Sequence, residues 1–447
     1  MKGEWRQPAL LAAAVVIGYA NALFGAFQFD DYNVIVGSSP VHSLDAWLAS
    51  LGSGLRPLLK LTYALNWMAS PAPAGFHVFN VLVHLVNAGL VYALAKDFCQ
   101  RCMAQRDGQW IAFATALMFA LHPVHTEAVT YVSGRSSSLM TLFYLAALWT
   151  YARSTQAQKS ASLRLASLCL FALALAVKES AMMLPFALLA WEWVYRTPWR
   201  TVASRQWPYW LAAGVAALAL MLHPGYSTLM WNSVHLRGLG DSFLTQLAGA
   251  TALLGKLLWP AALNIDPELP LIDDASAMLP HIAGLLLLLA LAWRSRASRP
   301  WISLGLMWAM VHLLLLNTLF PRVDGVNERQ LYWADWGLFL MLAAEIEIWL
   351  TRRLARASLA LLACALIAVT IARNEVYRSE ISLWEDTVSK SRNKARAYNN
   401  LGYAYSLAGR DDEAGNAYRE ALRLDPDYGK AANNLIRLRA GENANDR

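Results

Sequence analysis

Charged residues are scarce in this sequence. Asp, Glu, Lys and Arg make up only 15% of the 447 residues, and hydrophobic residues make up 57%. Soluble domains typically carry about 25% charged residues, so this composition excludes an ordinary soluble protein. The net charge of +7 does not indicate nucleic acid, because the basic residues lie mostly in short segments between apolar runs. We therefore expect an integral membrane protein that contacts membrane lipids and has no nucleic-acid partner.

Cysteine is also scarce, with four residues in the chain. Cys169 and Cys364 lie within apolar runs, where thiols are usually inert. Cys99 and Cys102 form a single C-x-x-C in a basic segment with no second pair of ligands nearby. A zinc site requires four ligands, so we do not expect one here.

Apolar runs dominate the first 372 residues. About eleven of them are candidate transmembrane helices. Their approximate ranges are 9–26, 76–95, 110–122, 136–152, 163–177, 181–195, 207–222, 279–293, 301–318, 334–350 and 357–372. The predicted fold is all-α, with a polytopic transmembrane domain at 1–372 and a helical domain at 373–447. If the N-terminus is cytoplasmic, every cytoplasmic segment is basic, and the odd number of spans places the C-terminus outside.

The unusual polar residues collect on the side predicted to face away from the cytoplasm. The predicted outer loops are 27–75, 122–135, 224–278 and 319–333. A tight turn at Lys178-Glu179 lies on the same side. The spans between these loops come from hydropathy alone. The clustering therefore indicates an active surface on the outer, periplasmic side.

Asp30 and Asp31 follow the first apolar run directly. Charge is costly where a membrane helix meets water, so a functional role is the default hypothesis for this pair. The alternative is that two solvated acids mark the end of the helix.

The segment from His122 to Arg135 contains a second polar cluster. Pro123 ends a helix, and His122, His125 and Glu127 lie within six residues. This spacing matches no standard zinc motif, so we favour substrate contacts over a metal. Arg135 begins the next helix, where a cation is a poor cap but suits an anion site.

Other outer segments contribute further cations. Arg56 is either an anchor at the membrane surface or a phosphate contact. Lys178 either pairs with Glu179 or faces a phosphate. Arg329 and Arg322 form either a clamp for a lipid phosphate or part of a hydrated turn. In the first case, Glu328 would orient Arg329.

The C-terminal region has a different pattern. Large and small residues alternate in the manner of a tetratricopeptide repeat of about 34 residues. The matching residues are Tyr398, Leu401, Gly402, Tyr405, Ala414, Tyr418, Ala421 and Pro426. Glu380 to Lys390 resembles the second helix of a preceding repeat, and Lys430 to Ala440 resembles a capping helix. A single repeat cannot bury its own face, so these flanking helices are needed for stability. The pattern predicts a docking surface.

Together these motifs resemble those of a known family. The chain is similar to the transmembrane and tetratricopeptide-repeat O-mannosyltransferases (TMTC) and their bacterial relatives, in the GT-C superfamily of glycosyltransferases. The segments that carry the resemblance are Phe29-Asp30-Asp31, Arg56-Pro57-Leu58, His122 to Ala128, Gly134-Arg135, Lys178-Glu179, Asn327-Glu328-Arg329 and Trp384. Animal relatives have many repeats, and this chain has little more than one.

The resemblance implies transfer of one sugar, with inversion, from a polyprenyl-phosphate donor to a hydroxyl, such as Ser or Thr of a protein. It implies that Asp30 or Asp31 is the general base, with Asp30 slightly favoured. Arg135, Lys178, Arg329 and Arg56 would hold the donor phosphate, and His122, His125, Glu127, Glu179 and Glu328 would contact substrate. No cofactor is certain, although Mg²⁺ or Mn²⁺ bound by Asp30, Asp31 and Glu127 stays an open alternative.

The resemblance also implies that the region around Tyr398, Tyr405 and Tyr418 docks a protein acceptor. The short repeat array implies a bacterial inner membrane. Three other readings are a transferase that acts on a lipid or glycan, a lipid-linked-sugar transporter or flippase, and a non-catalytic scaffold. A transporter predicts internal repeats and polar residues on both faces, and the sequence shows neither.

Overall fold

The structure is a computed structural model that describes residues 5–52, 54–103, 106–156, 160–228, 239–268, 278–315 and 326–441. Regular structure within these ranges is helical. The α-helices used below are α1 (Arg6–Tyr19), α2 (Leu44–Ala49), α3 (Pro57–Ala69), α4 (Pro73–Cys102), α5 (Gly108–Leu121), α6 (Thr126–Val129), α7 (Arg135–Ser154), α8 (Ser160–Val177), α9 (Leu184–Val194), α10 (Trp199–Leu222), α11 (Leu239–Leu258), α12 (Leu279–Ser295), α13 (Pro300–Met310), α14 (Trp336–Trp349), α15 (Arg352–Val376), α16 (Glu380–Lys390), α17 (Ala395–Leu407), α18 (Asp411–Leu424) and α19 (Gly429–Arg439).

Each predicted apolar run coincides with helical structure in the described chain, which confirms the all-α prediction. Among the described residues, four helical segments are long and apolar enough to cross a membrane, judged by length and composition. They are Arg6–Phe24, Pro73–Cys102, Ser160–Val177 and Arg352–Val376. Shorter apolar helices lie at Gly108–Leu121, Leu279–Ser295 and Pro300–Leu315. The chain is thus a helical membrane protein, and the count of about eleven crossings stays a prediction.

Helix packing in this domain depends on small residues where two helices cross. α13 and α14 pack together at Gly305 and Gly337. A Cβ atom on Gly305 would lie 2.6 Å from the carbonyl oxygen of Gly337. The two backbones therefore approach as closely as small residues at membrane helix interfaces allow.

α4 carries a buried polar stripe of His77, Asn80, His84 and Asn87. Each side chain bonds another element, as in the 2.8 Å hydrogen bond from Asn87 Nδ2 to the carbonyl of Ser138. In an apolar interior, such bonds satisfy polar groups that would otherwise be costly. The stripe joins the helices, as its spacing on one helix predicts.

The predicted outer segments meet at one end of the helix bundle, which we call the loop end. Asp31 contacts the turn before α7, Arg56 contacts Glu179, and residues after 326 contact the His122–Arg135 segment. The polar segments therefore do share one face. Which side of a membrane this end faces stays a prediction, and Arg322 lies outside the described residues.

Helices α16 to α19 form the C-terminal module, and α16 spans the residues predicted for it. A Cβ atom on Gly402 of α17 would lie 2.7 Å from the ring of Tyr418 on α18, so the small–large pairing of the repeat is real. The module packs against the loop end, where Phe29 meets Trp384 edge to face at 5.3 Å. It is therefore a wall of the loop end and not a separate appendage.

Gly134 provides a direct test of the packing of the His122–Arg135 segment. A Cβ atom there would lie 2.1 Å from the carbonyl oxygen of Glu127 and 3.0 Å from Ala128 Cα. Because both contacts are backbone atoms, we expect Gly134→Ala to cost at least about 1–3 kcal/mol. The measurement is the apparent melting temperature of the purified protein in detergent, which should fall by several degrees.

Gly89→Ala is the matched control. Gly89 lies within α4 and has no atom within 4 Å of its would-be Cβ. Alanine is the better helix former, so this variant should melt at or slightly above the wild-type temperature. Equal melting temperatures for the two variants would contradict the close approach at Gly134.

Candidate active site at the loop end

Asp31 is fully buried and ties the first outer loop to the turn before α7. Its Oδ1 accepts hydrogen bonds from the Ser133 N–H, at 2.8 Å, and from the Ser133 hydroxyl. Its Oδ2 accepts from the Gln28 N–H at 3.0 Å. Burial raises the pKa of Asp31 to about 7, and these hydrogen bonds offset part of the rise. Both carboxylate oxygens are therefore occupied within the protein.

Asp30 has a different environment, although it is the adjacent residue. It is only half-buried, and it lines a cavity of about 850 Å³. Its backbone N–H donates a 3.1 Å hydrogen bond to the Tyr131 hydroxyl. Of the two acids, Asp30 is thus the one whose position allows contact with a ligand.

The cavity lies between the first outer loop and the C-terminal module. Phe29, Asp30 and Tyr32 form one wall, and residues of α16, α17 and α19 form the others. The predicted docking tyrosines are not among the lining residues. Tyr418 is buried against Gly402, and the Tyr405 hydroxyl donates to Glu385 Oε1 at 2.7 Å. Docking of a protein acceptor around Tyr398, Tyr405 and Tyr418 therefore stays a prediction, and these residues do not line the cavity.

Glu127 and Glu328 are buried acids that face cations from other segments. Glu127 Oε2 accepts from the Arg329 N–H at 2.9 Å, and its Oε1 lies 3.4 Å from Arg329 Nε. Glu328 Oε1 accepts from Lys256 Nζ at 2.7 Å. Burial raises the pKa of Glu127 to about 7, and the charge of Arg329 opposes the rise. The expected partnership of Glu328 with Arg329 is replaced by Glu127 with Arg329.

Arg56 and Glu179 form a two-pronged ion pair. Arg56 Nε and Nη2 donate to the Glu179 carboxylate at 2.9 to 3.1 Å, and the Arg56 side chain keeps 40% of its surface exposed. Both residues line a cavity of about 260 Å³ whose other walls are mainly apolar side chains of α8 and α10. The charge of Arg329 acts on Arg56, so two cations share this region.

Arg135 is predicted from the sequence to contact the donor phosphate. In the structure it lines neither of these two cavities. It is fully buried and donates to Asn80 Oδ1 at 2.7 Å and to the carbonyls of Thr62 and Phe76. Its guanidinium also lies 4.3 Å from the ring centre of Phe79. The guanidinium of Arg135 is thus enclosed by the protein, and its predicted contact with a donor phosphate stays a prediction.

Lys178 is also buried. Its Nζ donates to Ser137 Oγ at 2.8 Å and lies 5.2 Å from the ring centre of Trp333. The structure pairs Glu179 with Arg56, not with its chain neighbour Lys178. Lys178 therefore contacts the first turn of α7 through Ser137, and its predicted contact with a donor phosphate stays a prediction.

His122 and His125 are structural in this arrangement. His122 Nε2 bonds the Leu257 carbonyl at 3.0 Å. His125 bonds the Phe119 carbonyl through Nδ1 and Asp335 Oδ2 through Nε2, both at 2.8 Å. Burial lowers the pKa of His125 to about 3. The ring nitrogens of both histidines anchor the segment, and their predicted substrate contacts stay a prediction.

Binding of Mg²⁺ or Mn²⁺ by Asp30, Asp31 and Glu127 stays a prediction. The oxygens of Asp31 and Glu127 accept hydrogen bonds from N–H and O–H groups of the protein. Within the described ranges, no three His, Cys, Asp or Glu side chains cluster as a metal site.

Three important residues were missed by sequence reasoning. Asp266 holds the C-terminal module through Lys394 and Arg396, Asp335 pairs with His125, and Ser133 binds Asp31. Ser133 adjoins the glycine turn and could have been suspected from its position. Asp266 and Asp335 carry no local signal, since their partners lie between 128 and 210 residues away in the sequence.

Comparison with known proteins indicates the class of this chain. Residues 72–226 match the family described as dolichyl-phosphate-mannose-protein mannosyltransferase, and residues 395–428 match the tetratricopeptide repeat. The repeat match confirms the predicted C-terminal module. The chain is therefore similar, over its central membrane segment, to protein mannosyltransferases.

Two curated relatives give a more particular likeness. The protein O-mannosyl-transferase F38B6.6 of Caenorhabditis elegans is 27% identical over 94% of this chain and 63% of its own length. The human protein O-mannosyl-transferase TMTC1 is 27% identical over 96% of this chain and 56% of its own length. The predicted resemblance is confirmed, and the chain is TMTC-like. It spans between half and two thirds of the length of these relatives.

One solved structure is also similar. It is the crystal structure of ArnT from Cupriavidus metallidurans bound to undecaprenyl phosphate, with 13% identity, a TM-score of 0.47 and coverage of 98% of this chain and 78% of that chain.

The raised pKa of Asp31 predicts a pH dependence of stability. Its usual pKa of 3.8 applies to the unfolded chain, and the folded value is about 7. Between these values the folded state is protonated and the unfolded state is ionised, so stability falls as pH rises from about 4 to about 7. Asp31→Asn is neutral throughout and should flatten part of this slope in melting temperature against pH.

The exposed Asp45, in the same outer loop, provides the control. Asp45→Asn should keep the wild-type slope. Glu127 titrates in the same direction, so some slope should survive in Asp31→Asn. An unchanged slope in Asp31→Asn would show that the carboxylate is not held as the structure has it.

Proposed function

We propose that this protein is a membrane glycosyltransferase that moves one sugar from a polyprenyl-phosphate donor to a Ser or Thr hydroxyl of a polypeptide, with inversion. The observation that carries the proposal is the placement of Asp30 in the 850 Å³ cavity beside the repeat module, with the Arg56 cavity at the same end. The similar proteins and the matching family, all named protein mannosyltransferases, support it and favour mannose.

Asp30 is proposed as the general base. In an inverting transfer, a carboxylate removes the proton of the acceptor hydroxyl while that oxygen attacks the sugar and the phosphate leaves. Asp30 faces the cavity, whereas the oxygens of Asp31 are occupied by Ser133 and Gln28. Asp31 then has a positioning role, since it fixes the backbone that carries Asp30.

The donor phosphate is proposed to bind at Arg56, with Arg329 nearby. A guanidinium can hold a phosphate with two hydrogen bonds, and it stabilises the charge that develops as the phosphate leaves. The Arg56 cavity has Leu175, Ala216 and Leu220 in its wall, which suits the first units of an isoprenoid chain. Glu179 holds the Arg56 fork in a fixed orientation.

The setting of the reaction belongs to the same proposal. The loop end faces the periplasm of a bacterial inner membrane, with the N-terminus in the cytoplasm and the C-terminal module outside, as the positive-inside rule predicts. A polypeptide acceptor is favoured over a lipid or glycan acceptor because the repeat module forms a wall of the Asp30 cavity. Flippase activity lacks a specific supporting observation.

Loss of the base should abolish transfer while leaving the fold intact. Asp30→Asn removes the proton acceptor, so we expect the transfer rate to fall at least about a hundredfold. The measurement is incorporation of label from polyprenyl-phosphate [¹⁴C]mannose into periplasmic proteins by the purified enzyme in liposomes. Asp45→Asn is the control and should transfer label at the wild-type rate. Full activity of Asp30→Asn would exclude Asp30 as the base.

Changes at Arg56 should act on the donor. Arg56→Gln loses the charge that the phosphate requires, so we expect the KM for the polyprenyl-phosphate sugar to rise about tenfold or more. Arg56→Lys should recover part of the loss, because it keeps the charge without the fork. Arg378→Gln, at an exposed ion pair with Glu375, is the control. An unchanged donor KM in Arg56→Gln would contradict the assignment.

A further inference from the structure

A third cavity, of about 510 Å³, lies at the end of the helix bundle opposite the loop end. α9 follows the Lys178-Glu179 turn of the loop end and runs to Val194, so the junction of α9 with α10 is at the far end. The walls of the cavity come from α9, α13 and the start of α10. Its volume is within the range of about 300–1,000 Å³ that is usual for ligand sites.

The cavity is an apolar groove with tryptophan at its outer end. Along α9 it extends from Trp193 back to Phe186, which is about 10 Å at 1.5 Å per residue. Met307 and Val311 of the α13 segment add apolar surface, and Trp199 at the start of α10 is largely exposed. Tryptophan in membrane proteins concentrates at the level of the lipid headgroups. The groove therefore begins at headgroup level and extends toward the acyl chains.

Arg296 is fixed at the outer end of this groove and is the charged member of its described lining residues. Its Nε donates a 2.6 Å hydrogen bond to the Trp193 carbonyl, and its guanidinium lies 4.6 Å from the centre of the Trp193 ring. Within the described ranges, no carboxylate forms an ion pair with Arg296. A guanidinium has five N–H donors, so the fixed group has donors left for a ligand.

Arg196 places a second cation beside the first. It follows α9, precedes the groove-lining Thr197, and has a left-handed backbone with a φ of 57°. Glycine is the usual residue in this conformation after a helix, so an arginine there is strained. Burial, followed by the charge of Arg196, lowers the pKa of Arg296, so the two cations repel each other. Strain and repulsion at one place indicate a ligand that uses both charges.

We propose that this groove binds an anionic phospholipid, with its phosphate at Arg296 and Arg196 and an acyl chain along α9 from Trp193 to Phe186. Guanidinium groups bind phosphate through strong, charge-assisted hydrogen bonds, and the anion would relieve the repulsion between the two arginines. Basic pockets between membrane helices are typical sites for anionic lipid headgroups. The apolar wall requires a tail, which a free phosphate lacks.

The bound lipid has a structural consequence. It would contact α9, α10 and α13 together, and a ligand that binds the native state alone stabilises that state. The site contains no residue of the loop end, so it does not depend on the proposed transferase activity.

The test is lipid binding to the full-length protein, purified in detergent, freed of lipid and followed by native mass spectrometry. The probes are phosphatidylglycerol, phosphatidylcholine with the same acyl chains, and soluble glycerol phosphate. Phosphatidylglycerol should bind at least about tenfold more tightly than phosphatidylcholine, because the choline charge cancels the attraction of the two arginines. Glycerol phosphate should not displace phosphatidylglycerol at similar concentration.

The decisive variant combines Arg196→Gly with Arg296→Gln. Glycine suits the left-handed backbone, and glutamine keeps a donor for the Trp193 carbonyl, so we expect the wild-type melting temperature in lipid-free detergent. Binding of phosphatidylglycerol should weaken at least about tenfold. Arg196→Gly alone relieves the strain without touching Trp193, and it should weaken binding at least about threefold.

Arg200→Gln combined with Arg294→Gln is the matched control. Both arginines are exposed at the same end of the bundle, and neither lines the groove. This variant loses the same charge and should bind phosphatidylglycerol as the wild type does.

Four results would overturn the proposal. They are wild-type binding by both Arg196→Gly variants, an equal loss of binding in the control, equal affinity of the wild type for phosphatidylcholine, and displacement by glycerol phosphate. An equal loss in the control would show a diffuse attraction of lipid to a basic surface, and displacement by glycerol phosphate would show a site for free phosphate.

Discussion

The carboxylate of Asp31 is the contact on which the loop end depends. It is removed from water and keeps its place by accepting hydrogen bonds from Ser133 and Gln28, so two outer segments are joined at one point. A buried carboxylate that lost these donors would be strongly destabilising. The same contact fixes the backbone at Asp31. The preceding residue, Asp30, faces the cavity as a result. Two identical neighbouring acids thus have different environments, one buried and one facing a cavity.

Other buried acids at the loop end also join separate segments of the chain, in these cases through ion pairs. Glu127 faces Arg329, Glu328 faces Lys256, and Asp266 faces Arg396, and each pair joins segments distant in the sequence. Buried ion pairs contribute little net stability, because desolvation consumes most of the attraction. Removing one partner is costly, however, so such pairs define which segments meet. They hold the loops and the repeat module in one arrangement around the cavity.

The sequence predicts the elements well because periodicity and hydropathy are local. The apolar runs, the α16 helix, the polar stripe of α4 and the shared face of the loops all follow from patterns within single segments. The partner of a single charged side chain does not follow from a pattern within one segment. Arg135 at a helix start is the same pattern whether it binds a phosphate or lies against Phe79, and its partner Asn80 is 55 residues away. For the same reason, the sequence around Asp266 does not predict that Arg396 is its partner.

The short repeat array is stable because the membrane domain completes its core. One repeat cannot bury its own hydrophobic face and needs a neighbour on each side. On one side of the repeat, α19 provides that neighbour. On the other, Tyr131 and Ile265 from the loop end share a hydrophobic cluster with Leu383, Trp384 and Leu401 of the module. The module therefore cannot move away from the loop end without exposing this core, and it stays a wall of the cavity that Asp30 lines.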